Sequence, residues 1–376
     1  MIEKQNDRTT ASFPAWRQRL EQVVEPYLQD ELQTFLQVLR TVGTPLIAGL
    51  AVHFLYYDPR AHHVAVTGEF TDWGRTGVRM PLTPLRHTGL FHATLELDGP
   101  ARLEYKLVVD GRVITDPLCL HTVDNGMGER NSYFMVGDFR EPPELSWGPS
   151  IPHGRVEEFD FESQRLRNRR RLHAYLPPGY DEERTQRFPT LYVHDGGEYL
   201  HRGRLPTVLD NLIFNRAIGP LIAIMIDPVE RGREYRASED YATFLESELL
   251  PHLERRYRTL AQREARGVMG ASRGGLISTY VALARPHLFS RVGGQSSALH
   301  LEEAKMAALL TSSSASTAFY LDVGKYEPRY LPTHQRIVAR LNALGYPCLF
   351  QQLSAGHNWT SWRTHLKDLL TCLWHQ

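Results

Sequence analysis

The sequence predicts an all-β domain followed by an α/β domain, because the spacing of apolar residues changes along the chain. Residues 15–42 repeat apolar side chains every three or four positions, which is typical of an amphipathic helix. From about residue 50 to 137 the period is two, as in half-buried strands. After residue 155, nearly continuous apolar runs alternate with helical stretches, which indicates a mostly parallel sheet covered on both faces.

These patterns divide the chain into four expected segments. They are an N-terminal helical segment at 1–44, a β-sandwich at 45–142, a linker rich in proline and glycine at 143–154, and an α/β domain at 155–376. A chain of 376 residues exceeds the usual size of one hydrophobic core, which agrees with more than one domain.

The composition limits the partners and the compartment. The 43 basic and 43 acidic residues give a net charge of zero, so no overall field favours nucleic acid or an anionic membrane. Three widely separated cysteines, Cys119, Cys348 and Cys372, fit a reducing compartment. The N-terminal stretch is polar, unlike a signal peptide, and no apolar run is long enough to span a bilayer. We therefore expect a cytoplasmic protein with no nucleic-acid or membrane partner.

The predicted elements follow in order. The sandwich strands are AVHFLYYD, HVAVTGEF, LFHATLEL, LEYKLVVDG and NSYFMVGDF. The strands of the second domain are RLHAYLPPGY, FPTLYVHD, PLIAIMID, GVMGAS, AFYLDVG and CLFQQLS. Its helices are expected at LPTVLDNLIFN, at EDYATFLESELLPHLERRYR, after GVMGAS, near Pro332 and after Asn358.

A serine between glycines is the candidate nucleophile. In RGVMGASRGGLIST, Ser272 ends a predicted strand and precedes a predicted helix, with Gly270 and Gly274 on either side. A sharp strand-to-helix turn exposes a serine hydroxyl and aims the helix N–H groups at a reacting carbonyl. Active sites in open α/β sheets form at the carboxyl ends of the strands, and this serine lies at such an end.

A serine hydroxyl needs a base and an acid. His357 follows the last predicted strand on a glycine-containing loop, which is where an α/β-hydrolase places its histidine. Asp322 lies within the preceding strand, whereas Glu327 lies beyond Gly324 in the loop, where a longer side chain reaches further. We prefer Glu327 as the acid and keep Asp322 as the alternative.

An oxyanion formed during ester cleavage needs two N–H donors. We expect one from the backbone of Arg273 and one from Gly196 or Gly197 in HDGGEYL, where glycines let the backbone approach a ligand. The alternative is that the two glycines form an ordinary turn.

Several motifs together resemble a known family. RLHAYLPPGY, LYVHDGGEYL, REYRASEDYATFLESELLPHLERRY, GASRGG, LDVGKYEP and AGHNWTSWR are similar to the enterochelin-esterase branch of the serine esterases, whose superfamily includes feruloyl and acetylxylan esterases. The resemblance covers about residues 155–376 and implies an α/β-hydrolase fold with Ser272, Glu327 and His357 as the triad. Asn358 departs from the family, because an acidic residue often stands there.

The sandwich also resembles known domains. HVAVTGEFTDWG, EYKLVVDG and ITDP with VDNGMGERNS are similar to the immunoglobulin-like N-terminal domain of these esterases, and equally to glycogen- and starch-binding modules. In such modules an exposed tryptophan and a lysine hold sugar, and Trp73 and Lys106 fall at comparable places. The alternative, which we favour, is that Trp73 packs at a corner and the domain only shapes the mouth of the site.

Three arginines are candidates for substrate binding. Arg231, Arg233 and Arg236 lie on the loop after PLIAIMID, where they could bind an acidic catecholate through charge-assisted hydrogen bonds. Trp359, two residues after His357, is a further candidate. The alternative is that the arginines are solvated or pair with the neighbouring acids Glu230, Glu234 and Asp240.

The sequence therefore predicts a serine esterase whose substrate is a small-molecule ester, in the first interpretation a catecholate siderophore or its ferric complex. No HExxH, CxxC or phosphate-loop motif occurs, so we expect no metal and no cofactor. One alternative is a feruloyl or acetyl esterase acting on decorated carbohydrate, and a second is a non-catalytic polysaccharide-binding protein. The oligomeric state is open, with a homodimer among the expectations.

Overall fold

The computed structural model describes residues 13–126, 128–310 and 316–375. The polar N-terminal stretch, on which the expectation about a signal peptide rests, lies outside these ranges. The chain forms two compact units. The first runs to Arg140 and includes Ser354–Gly356, and the second contains Glu141–Leu353 and His357–Gln376.

Two helices, Phe13–Gln22 (α1) and Glu25–Val42 (α2), replace the single helix predicted over residues 15–42. Between them Val24 has an extended backbone, with φ −74° and ψ 152°. Pro26 explains the break, because a residue without an N–H fits the first turn of a new helix but not the middle of a continuous one. The apolar stripe of α2 is buried in the first unit with apolar residues of the following strands.

Two antiparallel sheets follow, which confirms the predicted sandwich. Their strands are β1 (Leu46–Ala48), β2 (Ala51–Tyr57), β3 (Val64–Gly68), β4 (Met80–Pro81), β5 (Thr83–Pro84), β6 (Leu90–Glu96), β7 (Ala101–Val109), β8 (Arg112–Ile114), β9 (Thr122–Asp124) and β10 (Arg130–Val136). One sheet has the order β1-β2-β6-β5, and the other has the order β4-β3-β7-β10-β9 with β8 beside β7. Phe54 of the first sheet packs against Tyr105 and Phe134 of the second, at ring-centroid distances of 5.0 and 5.7 Å.

An eight-stranded sheet forms the centre of the second unit, in the order β11-β12-β14-β13-β15-β16-β17-β18. Its strands are β11 (Arg155–Ser163), β12 (Asn168–Leu176), β13 (Thr190–His194), β14 (Ile222–Ile226), β15 (Arg266–Ala271), β16 (Arg291–Gln295), β17 (Ala318–Gly324) and β18 (Cys348–Leu353). β12 pairs antiparallel with both neighbours, and the remaining pairs are parallel. Alternate residues of β13 and β14 belong to two different apolar clusters, one on each face, which confirms the covered, mostly parallel sheet.

The helices of the second unit are α3 (Gly196–His201), α4 (Leu205–Phe214), α5 (Arg231–Glu234), α6 (Glu239–Phe244), α7 (Leu250–Arg256), α8 (Arg273–Ala284), α9 (Glu303–Leu309), α10 (Leu331–Ala343), α11 (Trp359–Thr364) and α12 (Leu366–Trp374). Within the described ranges, no helix combines the length and apolar character needed to cross a membrane.

Two of these helical regions differ from the prediction. The helix expected over residues 239–258 contains a π-helical turn at Leu245–Leu249, because Pro251 has no N–H to continue a regular ladder. The last helix is divided at His365. The side-chain Nδ1–H of His365 donates to the Ser361 carbonyl at 2.7 Å. In a continuous helix, the backbone N–H of His365 would donate to this carbonyl instead.

The parallel strands end at one edge of the sheet, and the candidate residues lie there. Asp195, Ser272 and Ser296 directly follow β13, β15 and β16, and the loops after β17 and β18 carry Glu327 and His357. Ligand sites in open α/β sheets form at this edge.

Candidate active site

Ser272 occupies a sharp turn between β15 and α8. Its backbone angles, φ 54° and ψ −117°, are rarely adopted by residues other than glycine. The turn also brings Gly270 and Gly274 together, because a Cβ on Gly270 would lie 2.4 Å from the carbonyl carbon of Gly274. The Ser272 N–H donates to the Gln295 carbonyl, and its carbonyl accepts from the Ala298 N–H, both at 2.8 Å. These two hydrogen bonds fix the backbone of Ser272, and the residue is partly exposed.

The structure brings His357 to this serine. Nε2 of His357 lies 2.9 Å from Oγ of Ser272. The imidazole stacks on the ring of Tyr330 at 4.4 Å and meets the edge of Trp362 at 4.9 Å. Asn358, the departure from the family pattern, accepts the Ser361 N–H at 2.9 Å and caps α11. The histidine ring is therefore fixed by packing on its faces and by hydrogen bonds at its nitrogens.

Glu327 holds the other side of the imidazole. Its Oε2 lies 2.7 Å from Nδ1 of His357, and the carboxylate is 1% exposed. Oε1 accepts the Gly324 N–H at 2.9 Å and the Ser296 hydroxyl at 2.7 Å. Three donors therefore converge on one buried carboxylate, as an ionised acid requires.

Asp322, the alternative acid, contacts a different part of the site. It is fully buried in β17, and its Oδ1 accepts the Ser296 N–H at 3.2 Å. Burial, followed by the negative charge of Glu327, raises the pKa of Asp322 to about 8, so this carboxyl is neutral at pH 7. Of the two acids, the one hydrogen-bonded to His357 is Glu327.

The three N–H groups expected to bind the oxyanion have different surroundings in the structure. The Arg273 N–H opens α8, where helix N–H groups lack partners within the helix. The Gly197 N–H donates to the carboxylate of Asp227, which corrects the expectation that it is open to a substrate oxygen. Gly196 packs tightly on β14, since a Cβ there would lie 2.4 Å from the carbonyl carbon of Met225. Its N–H remains the candidate for the second donor.

The three arginines predicted for substrate binding each pair with a carboxylate, but only Arg233 pairs with one of the neighbouring acids that the alternative interpretation named. The pairs are Arg231 with Asp195, Arg233 with Glu230 and Arg236 with Glu302. Arg231 makes two hydrogen bonds, of 2.7 and 2.8 Å, to a carboxylate that is 5% exposed. A Cβ on Gly274 would meet that carboxylate at 2.9 Å, so this pair lies beside the first turn of α8.

Two other arginines lie next to site residues in the chain. Arg273 directly follows Ser272, and the exposed Arg329 directly precedes Tyr330. Within the described residues, no carboxylate lies within ion-pair distance of either side chain. Burial lowers the pKa of His300 to about 4, and the positive charges of Arg329 and Arg273 contribute to this shift. The half-buried ring of His300 lies 4.7 Å from the ring of Tyr330, so both guanidinium groups act electrostatically on a side chain beside Tyr330.

The remaining predicted substrate residues are Trp359, Trp73 and Lys106. The ring of Trp359 packs edge-on against Tyr199 at 5.1 Å and remains partly exposed. In the first unit, Trp73 is half-buried, and the ammonium of Lys106 pairs with Glu129.

Three side chains at the site are absent from the sequence-based predictions. Ser296 follows β16 directly, so the carboxyl-end rule could have found it. Trp362 lies in the AGHNWTSWR motif, in which the sequence analysis selects Trp359. No sequence pattern predicts that Tyr330 lies at the site, because its stacking on His357 depends on the path of the loop after β17.

Comparisons with known proteins identify two family models that match this chain. A family model described as a putative esterase matches residues 163–372, and one described as the glycogen recognition site of AMP-activated protein kinase matches residues 52–140. The endo-1,4-beta-xylanase/feruloyl esterase of Xylanibacter ruminicola is 26% identical over 212 residues, covering 53% of this chain and 29% of that protein. Protein YbbA of Bacillus subtilis is 27% identical over 191 residues, covering 46% of this chain and 75% of that protein.

Solved structures share the fold. The ferric enterobactin esterase of Salmonella typhimurium has a TM-score of 0.70 at 20% identity, covering 86% of this chain and 93% of that one. The Shigella flexneri enterobactin esterase, in the presence of enterobactin, has a TM-score of 0.70 at 22% identity, covering 86% and 92%. A ferulic acid esterase has a TM-score of 0.54 at 20% identity, covering 59% and 98%. These similarities confirm the predicted fold class, and the esterase family model confirms the family resemblance.

Proposed function

The chain belongs to the putative esterase family, and we propose that Ser272, His357 and Glu327 are the triad with which this esterase cleaves a carboxylic ester. One observation carries the proposal. Hydrogen bonds of 2.9 and 2.7 Å run without a break from the Ser272 hydroxyl through the imidazole to the Glu327 carboxylate. This order of nucleophile, base and acid is the arrangement that serine hydrolases use.

The proton moves along this series during the reaction. As Oγ of Ser272 attacks the ester carbonyl carbon, Nε2 of His357 takes the hydroxyl proton. Glu327 accepts a hydrogen bond from Nδ1–H, which leaves Nε2 free to act as the base, and the negative charge of Glu327 stabilises the imidazolium. The imidazolium then protonates the leaving alcohol. Water activated by His357 hydrolyses the acyl group from Ser272, which returns the enzyme to its starting state.

The carbonyl oxygen becomes negatively charged in the tetrahedral intermediate. We assign the Arg273 N–H as one donor to this oxyanion, because it opens the helix that begins directly after the nucleophile. The second donor in this proposal is the Gly196 N–H at the start of α3. Fixed N–H groups of this kind stabilise charge without reorganising during the reaction.

For the substrate we propose an ester of a catecholate siderophore, which carries negative charge in its ferric complex. The support comes from Arg273 and Arg329, whose guanidinium groups have no carboxylate partner within the described residues and lie near Ser272 and Tyr330 in the chain. Guanidinium groups bind catecholate or carboxylate oxygens through charge-assisted hydrogen bonds. The fold shared with enterobactin esterases is consistent with this choice.

The test compares two esters of similar size, neutral 4-nitrophenyl butyrate and anionic 4-nitrophenyl hemisuccinate, together with ferric enterobactin. We expect Arg329→Gln to lower kcat/KM for the anionic ester on the order of fivefold and to leave the neutral ester nearly unchanged. Arg233→Gln, an exposed arginine paired with Glu230, is the matched control. An equal effect on both esters, or no hydrolysis of ferric enterobactin, contradicts the substrate assignment.

A feruloyl or acetyl esterase acting on carbohydrate is the second candidate. It is favoured by the feruloyl esterase among the relatives and by the carbohydrate-recognition model that matches the sandwich. In that case methyl ferulate or feruloyl sugars are cleaved faster than enterobactin. The sandwich then binds glycogen or a related glucan, and Trp73→Ala and Lys106→Ala weaken the binding.

A further inference from the structure

We propose that Ser296 is a positioning residue, which keeps the negative charge of this site on Glu327 rather than on Asp322. The inference rests on the proposed function, in which Glu327 is the acid of the triad. Ser296 is buried and directly follows β16, with a positive φ of 44°. Its hydroxyl donates to Glu327 at 2.7 Å, and its backbone N–H donates to Oδ1 of Asp322 at 3.2 Å. One residue therefore touches both acids.

The direction of the hydroxyl hydrogen follows from a third partner. The indole N–H of Trp362 lies 3.1 Å from Oγ of Ser296, and an indole N–H only donates. Oγ therefore accepts from Trp362, and the single hydroxyl hydrogen points to Oε1 of Glu327. Trp362 also packs edge-on against His357, so both partners of Ser296 reach the same imidazole.

The two acids have different hydrogen-bond donors. Glu327 accepts from Ser296, Gly324 and His357. Oδ1 of Asp322 shares the Ser296 N–H with the Asp322 backbone carbonyl, at 3.2 and 2.9 Å, and the side chains of Gln295 and Tyr320 also interact with this carboxyl. Burial near the Glu327 charge raises the pKa of Asp322. Two carboxylates in one buried site do not both ionise readily, so the acid with the stronger donors takes the charge. The side chain of Tyr320 also faces Asp322, and the charge of Glu327 also reaches His334.

The chain provides a matched control at the next position. Ser297 is also fully buried, and its hydroxyl has no hydrogen-bond partner within the described residues. Ser296→Ala and Ser297→Ala each remove one buried hydroxyl and keep the Cβ, so the backbone strain at Ser296 is unchanged. Only the first substitution removes a donor to Glu327.

The experiment measures kcat, KM and the pH profile of kcat for 4-nitrophenyl butyrate hydrolysis by the full chain. For Ser296→Ala we expect kcat to fall by roughly 10- to 100-fold with KM nearly unchanged, because a hydrogen bond to a charged group is lost. The acid side of the profile should move to higher pH, because the triad accepts a proton more readily without this donor. Ser297→Ala should change neither quantity. In the Glu327→Gln background, Ser296→Ala should add little further loss.

The following results would disprove either the role of Ser296 or the proposed function. If Ser296→Ala and Ser297→Ala have the same kcat and pH profile while Ser272→Ala is inactive, the role of Ser296 is disproved and the triad stands. If Ser272→Ala keeps full activity, the proposed function itself fails. If Ser296→Ala does not fold, Ser296→Cys replaces it, because a thiol of similar shape is a weaker donor and should shift the profile in the same direction. An unshifted profile for a folded, active Ser296→Cys also disproves the role.

Discussion

The ring of Tyr330 stacks on the imidazole of His357, with centroids 4.4 Å apart and planes 26° apart. In the proposed reaction the imidazole becomes a cation, and an aromatic face attracts a cation at this distance. Tyr330 is 8% exposed, so little water competes for this contact. The stack therefore favours the charged form of His357 that arises during the reaction.

Removing the Tyr330 ring should slow the chemical step. We expect Tyr330→Leu to lower kcat by roughly 3- to 30-fold with a smaller change in KM, because the imidazolium loses its aromatic neighbour. Tyr330→Phe keeps the ring and should retain most of the activity. Steady-state kinetics on 4-nitrophenyl butyrate measures both, and equal losses in the two variants would show that the ring face has no such role.

The two buried acids should respond differently to neutralisation. Glu327→Gln removes the charge that faces His357, so we expect kcat to fall by about 10³- to 10⁴-fold. Asp322→Asn replaces a carboxyl that is already neutral at pH 7, so activity at that pH should stay within about threefold of the wild type. The reverse ranking of the two variants would assign the acid role to Asp322.

Asp322 should also make the stability of the fold depend on pH. Its pKa is raised by burial from 3.8 to about 8, so between these values the folded chain holds a proton that the unfolded chain has lost. The contribution of this group is fully present below pH 4 and is lost as the pH rises to about 8. Thermal unfolding at pH 5, 6.5 and 8 should show Asp322→Asn gaining stability relative to the wild type as the pH increases. A constant difference between the two proteins would contradict the raised pKa.

The pair of Arg231 and Asp195 should matter more for stability than other arginine pairs near the site. Arg231→Met leaves the buried Asp195 carboxylate without its bidentate partner, which should reduce the free energy of unfolding by about 3 kcal/mol. Arg233→Met breaks an exposed contact of 3.5 Å and should cost less than about 0.5 kcal/mol. Urea unfolding of both variants measures the difference, and similar losses would contradict the structural role of Arg231.

Residue periodicity and strand order were enough to predict much of this molecule. The sandwich and the parallel sheet follow from apolar patterns, and Ser272 and His357 follow from their positions after strands. The loop position of Glu327 favours it over Asp322, and the structure places its carboxylate 2.7 Å from the imidazole.

Other features depend on partners that are distant in the chain. The Gly197 N–H is used by Asp227, 30 residues later, so no local pattern shows that it is occupied. The partner of Arg236 is Glu302, 66 residues later. The apolar stripe continues across Pro26 and Pro251, so periodicity alone does not predict the helix breaks at these two prolines.

The central claim is that Ser272 is the nucleophile of an esterase, and one measurement tests it most directly. Wild type and Ser272→Ala are compared for the initial rate of 4-nitrophenyl butyrate hydrolysis, with the fold of both checked by circular dichroism. The account predicts clear turnover by the wild type and a loss of at least about 10³-fold in kcat for the folded variant. Equal rates for the two proteins, or no turnover by either, would contradict it.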